Sequence, residues 1–336
     1  MAKIFVTGPL PGLTPASFEE HDLYIHEGEL STEALYAQLA DVDVLICQLS
    51  TPIDKHLFKA APQLKIIANY AVGYNNVDVD WATMKDVAVL NTPDVLTDST
   101  ADLTMGLLLA AARRMGEGER MIRANRWEGW PPTQLLGTHV TGKQLGIIGF
   151  GRIGEAVARR AKAFSMPIAY HNTKRIPIGL AQEVGAFYMP LEELLRTSDF
   201  ISLHCPLTPA TQHLIGEREL SWMKPEAFLI NTSRGPVVDE HALVKALTEG
   251  TIKGAALDVF EHEPTIQEAL KSMENVFLTP HLGSATEETR HAMTSILIKG
   301  IKDTLKFRHP TNIVNPEVLS SLWHSIRPAP HLRTAE

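Results

Sequence analysis

The sequence predicts an α/β protein made of two successive series of parallel strands and crossover helices. Three observations predict it. Short apolar runs alternate with helical stretches, the 336 residues amount to about two domains at ~150 residues each, and a glycine-rich turn lies between a strand and a helix near mid-chain. The first series places strands at 3–7, 42–48, 64–69 and 87–90, with a helix over 32–39. Each run is continuously apolar rather than alternating, as in strands covered on both faces. Residues 98–126 read as one long helix, capped by Asp98 or Ser99, with Leu103, Leu107, Leu108 and Ala111 at helical spacing. Pro131 and Pro132 prevent its continuation. The stretch 99–141 reads equally as a connecting arm or as a surface helix. The second series has strands at 144–149, 167–171, 200–204, 227–231, 254–259 and 276–278, with helices over 153–164 and 240–248. A last strong helix spans 284–306, with Ser284 as its expected cap and Glu287 completing a capping box. The Pro-, His- and Ser-rich tail after Asn315 reads as a peripheral extension.

Composition narrows the functional classes. The chain has 31 Lys+Arg and 39 Asp+Glu, a net charge of −8 with no long basic run, which argues against nucleic acid as a partner. Hydrophobic residues at 44% and charged residues at 21% are ordinary globular usage, so disorder is not expected. Cys47 and Cys205 are the only cysteines, too few for a disulfide framework or a Cys-based zinc site, and no metal is expected. No apolar run reaches the ~18–20 residues of a membrane span, and residues 1–6 lack signal-peptide anatomy. A soluble cytoplasmic protein with no membrane partner is the expectation.

Gly149-Phe150-Gly151-Arg152-Ile153-Gly154 follows the apolar strand and opens the next helix. In that setting a G-x-G-x-x-G points to a dinucleotide: one glycine for the turn, one for approach of the pyrophosphate, one for helix–strand packing. The helix N-terminus offers N–H groups and partial positive charge to the phosphates. An NAD site of this kind places an acid ~20 residues on, for the ribose hydroxyls. Here, eighteen residues beyond Gly154, stand Asn172, Thr173, Lys174 and Arg175, with no acid. An acid would repel a 2′-phosphate; these residues would attract it. NADP(H) is therefore the preferred cofactor, with NAD(H) possible if Lys174 and Arg175 are merely solvated loop charges.

Hydride transfer to a ketone needs a cation for an anionic substrate group, an acid for the carbonyl oxygen, and a neighbour that keeps that acid protonated. Arg234 follows one strand, and an Arg fork matches a carboxylate bidentately. Asp258 to Pro264 follows another strand, and His281 a third. Ligands in open α/β sheets bind at such C-terminal strand ends. His281 is the candidate acid/base and Glu263 its candidate partner.

These segments resemble the D-isomer-specific 2-hydroxyacid dehydrogenase family, its glyoxylate/hydroxypyruvate reductase branch in particular. The similar stretches are Ala71-Val72-Gly73-Tyr74-Asn75-Asn76-Val77-Asp78, the glycine motif, His204-Cys205-Pro206-Leu207-Thr208, Asn231-Thr232-Ser233-Arg234-Gly235-Pro236-Val237-Val238-Asp239 and Pro280-His281-Leu282-Gly283-Ser284. The likeness runs to about residue 316. It implies Arg234, Glu263 and His281 as the catalytic set, and backbone of Val72 and Gly73 at the substrate carboxylate. It implies Leu49, Tyr74 and Trp130 around the substrate, with Trp130 equally readable as a surface aromatic that ends a helix. For the cofactor it implies Thr104, the glycine turn with Arg152 and Ile153, Asn172 to Arg175, Cys205, Pro206, Thr211, Thr232, Ser233, Asp258 and Gly283. Thr104 also reads as an ordinary helix residue.

The resemblance further implies two Rossmann-like, doubly wound parallel-sheet domains with a cleft between them. Residues 1–97 plus 286–336 would bind substrate. Residues 98–285 would bind the dinucleotide, and an arm at 99–141 would make a homodimer. The implied reaction is reduction of a small 2-oxo acid, glyoxylate or hydroxypyruvate, to the D-2-hydroxy acid. Formate oxidation is disfavoured because that branch has Gln where Glu263 stands. Phosphoglycerate oxidation is disfavoured by the missing ribose-binding acid and regulatory domain. Phosphonate oxidation, or a dinucleotide-sensing corepressor built on this fold, stays open.

Overall fold

A computed structural model describes residues 1–326. In chain order the strands are β1 (Lys3–Val6), β2 (Asp22–Ile25), β3 (Val44–Cys47), β4 (Ile66–Asn69), β5 (Ala88–Leu90), β6 (Leu145–Ile148), β7 (Ile168–His171), β8 (Ala186–Tyr188), β9 (Phe200–Leu203), β10 (Phe228–Asn231), β11 (Gly254–Leu257) and β12 (Val276–Leu278). The helices are α1 (Thr32–Gln38), α2 (Lys55–Ala60), α3 (Val79–Met84), α4 (Thr97–Ala112), α5 (Met115–Arg123), α6 (Arg152–Ala163), α7 (Ile178–Val184), α8 (Leu191–Thr197), α9 (Glu217–Trp222), α10 (Glu240–Glu249), α11 (Glu268–Ser272), α12 (Glu287–Leu305) and α13 (Leu319–Ile326). They divide into two compact units, Met1–Leu96 with the segment from Thr286 onward, and Thr97–Ala285. No helix among the described residues is long and apolar enough to cross a membrane.

The first unit carries a five-stranded parallel sheet in the order β2-β1-β3-β4-β5. Strands β3, β4 and β5 are buried residue by residue, which is why they read as unbroken apolar runs. Edge strand β2 is half exposed and escaped that signal. One face packs Leu35, Leu39, Leu57 and Phe58 of α1 and α2. The other receives Met293, Leu297 and Ile301 of α12, buried against Ile4, Val6, Ile46, Ile66 and Leu90. Burying each such side chain contributes roughly 2 kcal/mol.

The C-terminal segment is woven into this sheet by side-chain amides. Asn315 Oδ1 accepts from Val89 N–H at 2.8 Å, and its Nδ2 donates to Val87 O and Thr83 Oγ1, both at 3.0 Å. Val318, Leu319 and Leu322 are buried. The tail after Asn315 is therefore not a peripheral extension as far as Ile326. Apolar residues interspersed among the polar ones dock it. Residues 327–336, which end the expected substrate-binding piece, lie outside the described residues.

The second unit has seven parallel strands in the order β12-β11-β10-β9-β6-β7-β8. β6 sits where the strand order reverses, with β7 on one side and β9 on the other. Helix α4 packs on one face, contributing Ala101, Met105, Leu107 and Leu108 to a core with Ile147, Phe200 and Ile230.

Two helix expectations need correction. The stretch 98–126 is not one helix: Arg114, at φ 51°, takes the left-handed conformation and separates α4 from α5. Gly116 and Gly118 hold the second helix only weakly. The last long helix begins later than Ser284. Its cap is Thr286, whose side chain accepts from Thr289 N–H at 3.1 Å.

Asn315→Ala leaves a buried strand N–H and a carbonyl unpaired, and is expected to destabilise the protein by about 2–4 kcal/mol. A lowered urea unfolding midpoint checks this; an unchanged one refutes the anchoring role.

Candidate active site

The glycine turn leaves β6 at the reversal of strand order, the place where open α/β sheets hold ligands. Each glycine meets a different demand. Gly149 has φ 90°, and a Cβ there would lie 2.4 Å from Cys205 N, the backbone leaving β9. A Cβ on Gly154 would lie 2.4 Å from Gly149 O, so the third glycine lets α6 close on the turn. Gly151, the N-cap of α6, faces open space, where a Cβ would meet nothing within 4 Å. Room at the N-terminus of a 12-residue helix is what a pyrophosphate requires, so the residues present fit a dinucleotide. Arg152 is exposed and Ile153 half-buried beside it.

Gly149 N–H donates to His171 O at 3.0 Å, which brings the end of β7 beside the turn. There Asn172 is half-buried, while Thr173, Lys174 and Arg175 are exposed. The Arg175 guanidinium lies 4.8 Å over the Tyr188 ring, and Ile176 N–H donates to Tyr170 Oη at 3.2 Å. Two tyrosines thus brace a cationic loop. On the other side of β6, Thr211 Oγ1 donates to Pro206 O at 2.6 Å and closes the loop after Cys205. Burial pushes the Cys205 thiol up to about 11, so it packs as a neutral group.

The second cluster lies at the C-terminal ends of β10, β11 and β12. His281 Nδ1 and Glu263 Oε2 are 2.8 Å apart, and Glu263 Oε1 accepts from Phe260 N–H at 3.0 Å. Burial pushes the Glu263 carboxyl up, but His281, the Phe260 N–H and the charge of Arg234 hold it below the ordinary range. Burial draws the Arg234 guanidinium down, and the facing charge of Glu263 opposes this. Arg234 remains a cation, as arginine does in proteins. Asn231 shapes its turn, taking Ser233 N–H (3.0 Å) and Oγ (2.8 Å) on Oδ1 and donating Nδ2 to Arg234 O (2.9 Å).

Asp258 is buried and organises the histidine loop. Its oxygens accept from Thr279 Oγ1 (2.6 Å), Leu282 N–H (2.6 Å) and Gly283 N–H (2.8 Å). Burial raises its pKa, and these donors with His281 oppose the rise. His281 itself stands at φ 54°. Helix α4 buttresses both loops: Thr100 Oγ1 donates to Gly283 O at 3.0 Å, and Thr104 Oγ1 meets Thr232 Oγ1 at 2.9 Å. Thr104 is fully buried, its hydroxyl shared between Thr232 and Thr100 O.

Two other histidines can be compared with His281. Burial pushes His204 down to about 3, and one ring nitrogen meets Ser202 Oγ at 2.8 Å, so it stays neutral and cannot supply a proton. His213 also meets a carboxylate, Glu261 at 2.6 Å, but it stands in the loop after β9 rather than at the end of β12; Glu240 N–H donates to Glu261 Oε2 at 3.3 Å, and Glu261 N–H donates to Glu240 Oε1 at 2.6 Å. Glu240 escaped the sequence reading, and Asn231 and Glu261 stood there only within longer stretches, without a role; an acid one residue after Asp239 has no pattern that sets it apart.

The remaining expected residues are not gathered here. Leu49, Val72, Gly73 and Tyr74 belong to the first unit, after β3 and β4, where Leu49, Val72 and Gly73 are half-buried and Tyr74 is exposed. Trp130 is 83% exposed, on the irregular segment that follows α5.

Glu263→Gln keeps the shape of the side chain and removes its charge. Because the folded-state carboxyl titrates below 4.5, its contribution is complete above that pH and fades as the pH falls through the lower folded value. The urea midpoint of the wild type should exceed that of Glu263→Gln at pH 7, the gap closing as the buffer is taken from pH about 5 to 3. A constant gap would refute the ion pair.

Residues 105–283 match the family model described as the NAD binding domain of D-isomer specific 2-hydroxyacid dehydrogenases. The chain is 48% identical over 326 residues to a glyoxylate reductase of Thermococcus litoralis, covering 95% of this chain and 98% of that one. Among solved structures, it resembles an NADPH-dependent glyoxylate/hydroxypyruvate reductase from Sinorhizobium meliloti, in complex with NADP and malonate. That match has TM-score 0.81 and 35% identity, over 94% of this chain and 97% of the other. It also resembles a D-lactate dehydrogenase from Aquifex aeolicus complexed with NAD and lactic acid, with TM-score 0.84 and 28% identity, over 93% and 98%. With two parallel-sheet units, a dinucleotide turn and this likeness along nearly its whole length, the chain belongs to the D-isomer specific 2-hydroxyacid dehydrogenase family.

Proposed function

We propose that the protein reduces a small 2-oxo acid, glyoxylate or hydroxypyruvate, to the 2-hydroxy acid, with NADPH preferred over NADH. The observation that carries this reading is the His281–Glu263 pair with the charge of Arg234 beside it, at strand ends of the sheet that bears the glycine turn. Gly149 to Gly154 would hold the pyrophosphate, with Cys205, Pro206 and Thr211 on one side and Asn172 to Arg175 on the other. Asp258, Gly283, Thr232 and Ser233 would line the nicotinamide end, with the fully buried Thr104 behind Thr232. When bound, the reduced nicotinamide supplies the hydride.

The chain's own residues do the rest. Arg234 binds the substrate carboxylate and draws electron density from the carbonyl. Glu263 occupies Nδ1 of His281, which leaves Nε2 to hold the proton for the carbonyl oxygen as it gains charge. In the reverse direction neutral His281 takes the hydroxyl proton. Backbone of Val72 and Gly73 is assigned to the substrate carboxylate, and Leu49, Tyr74 and Trp130 to the shape of the pocket. The cationic loop braced by Tyr188 supports NADPH. The exposed apolar side chains of Met115, Ile122, Trp127, Trp130 and Leu136 support a homodimer arm along 99–141.

His281→Ala should lower reduction by about 10²–10⁴-fold while NADPH binding, followed by nucleotide fluorescence, persists. Unchanged turnover removes His281 from the mechanism. Steady-state kinetics with both cofactors against glyoxylate, hydroxypyruvate and pyruvate test the rest. Arg175→Ala should raise the KM for NADPH and leave that for NADH unchanged. NADH outperforming NADPH in the wild type overturns the cofactor assignment, and no turnover of any 2-oxo acid favours the dinucleotide-sensing binding role.

A further inference from the structure

Three consecutive carbonyls around Val72 and Gly73 are held by donors from neighbouring strand ends. Ala71 O accepts from Thr92 N–H at 2.9 Å, Val72 O from Asn91 Nδ2 at 2.8 Å, and Gly73 O from Asn69 Nδ2 at 2.9 Å. Asn69 closes β4, Asn91 and Thr92 follow β5, and the register Ala68↔Leu90 sets these donors side by side. In a planar trans peptide the N–H points away from the C=O of the same unit. Holding these three carbonyls toward the β4–β5 edge therefore turns the N–H groups of Val72, Gly73 and Tyr74 the other way. No described residue accepts a hydrogen bond from any of the three. Successive backbone N–H groups presented together form an anion-binding concavity.

Both amides are themselves fixed. Asn69 is fully buried, and its Oδ1 accepts from Asn76 Nδ2 at 3.0 Å, which commits its Nδ2 to Gly73. Asn76 is tied in turn to Thr51 O at 3.0 Å. The backbone of Asn91 is gripped from both sides by Asn312, which accepts from Asn91 N–H at 3.1 Å and donates Nδ2 to Asn91 O at 2.8 Å.

We infer that Asn69 and Asn91 are positioning residues that aim the Val72–Tyr74 backbone N–H groups at the carboxylate of the 2-oxo acid. The inference rests on the functional reading above and adds to it: neither amide touches substrate. An uncharged amide suits the task, because it fixes a carbonyl without competing for the substrate's charge. A lysine would attract the carboxylate itself, and an aspartate would repel the carbonyl it faced.

The test uses the full chain and Asn91→Leu, which is close in volume but lacks the donor, with Asn69→Ala as a second variant. The readouts are the KM values for glyoxylate and NADPH, inhibition by oxamate as a carboxylate probe, and the ratio of kcat/KM for glyoxylate to that for uncharged glycolaldehyde. The glyoxylate KM and the oxamate inhibition constant should each rise about tenfold, equivalent to ~1.4 kcal/mol, with the NADPH KM unchanged. The glyoxylate-to-glycolaldehyde ratio should fall by the same factor, which general damage to the fold would not produce. Unchanged oxamate inhibition, or equal losses with both substrates, overturns the inference. A wild-type chain that binds oxamate by calorimetry but reduces no 2-oxo acid overturns the functional reading alone. The positioning role is then judged on oxamate affinity in the two variants.

Discussion

The carboxylate of Asp258 is the interaction on which the geometry of the loop after β12 depends. It is buried beneath the loop after β12 and takes three hydrogen bonds from it, two of them from consecutive backbone N–H groups at Leu282 and Gly283. A buried carboxylate is tolerable only when its acceptor sites are filled. Those donors can reach it only if the chain reverses sharply just before them. The residue at the reversal is His281, at φ 54°, a conformation that costs a non-glycine residue of order 1–2 kcal/mol. The Asp258 contacts offset that cost. They hold the imidazole where Glu263 meets Nδ1.

The two units solve a shared problem with different side chains. Loops follow the C-terminal strand ends in both units, and parallel sheets leave those ends without regular partners. In the second unit the answer is hydroxyls and acids: Thr100 and Thr104 of α4 brace two loops, and Glu240 and Glu261 exchange backbone N–H bonds across two more. Gly235 lets those last two loops interlock, since a Cβ there would fall 1.9 Å from Phe260 backbone. In the first unit the answer is amides: Asn69, Asn76, Asn91 and Asn312 fasten one loop to the next. Amides donate and accept without charge, so one side chain can fasten a loop on both sides.

Much of the fold was legible because its signals are local. Strands buried on both faces show as unbroken apolar runs, and the glycine turn shows as spacing between one strand and one helix. The edge strands β2 and β8 were missed for the same reason, since each is only partly buried. The division of 98–126 into α4 and α5 was missed because a left-handed Arg114 leaves no mark in composition. The late start of α12 was missed because Ser284 and Thr286 are equally good caps on paper. Arg234 and His281 were legible in the sequence only as complementary residue types at strand ends. Their supporters, Asn231, Glu240, Glu261, Asn69 and Asn91, are ordinary polar residues until their partners are seen.

By itself the sequence determined two parallel α/β series, a dinucleotide turn free of a ribose-binding acid, and a cation and a histidine at neighbouring strand ends. These follow from residue type and short-range spacing, which survive without coordinates. The tertiary structure alone decided how three histidines differ in their surroundings: His204 is buried, His213 meets Glu261 from the loop after β9, and His281 meets Glu263 from the end of β12. It alone decided that residues 315–326 dock on the first unit, because an asparagine hydrogen-bonded to Val87 and Val89 more than 200 residues earlier has no local signature.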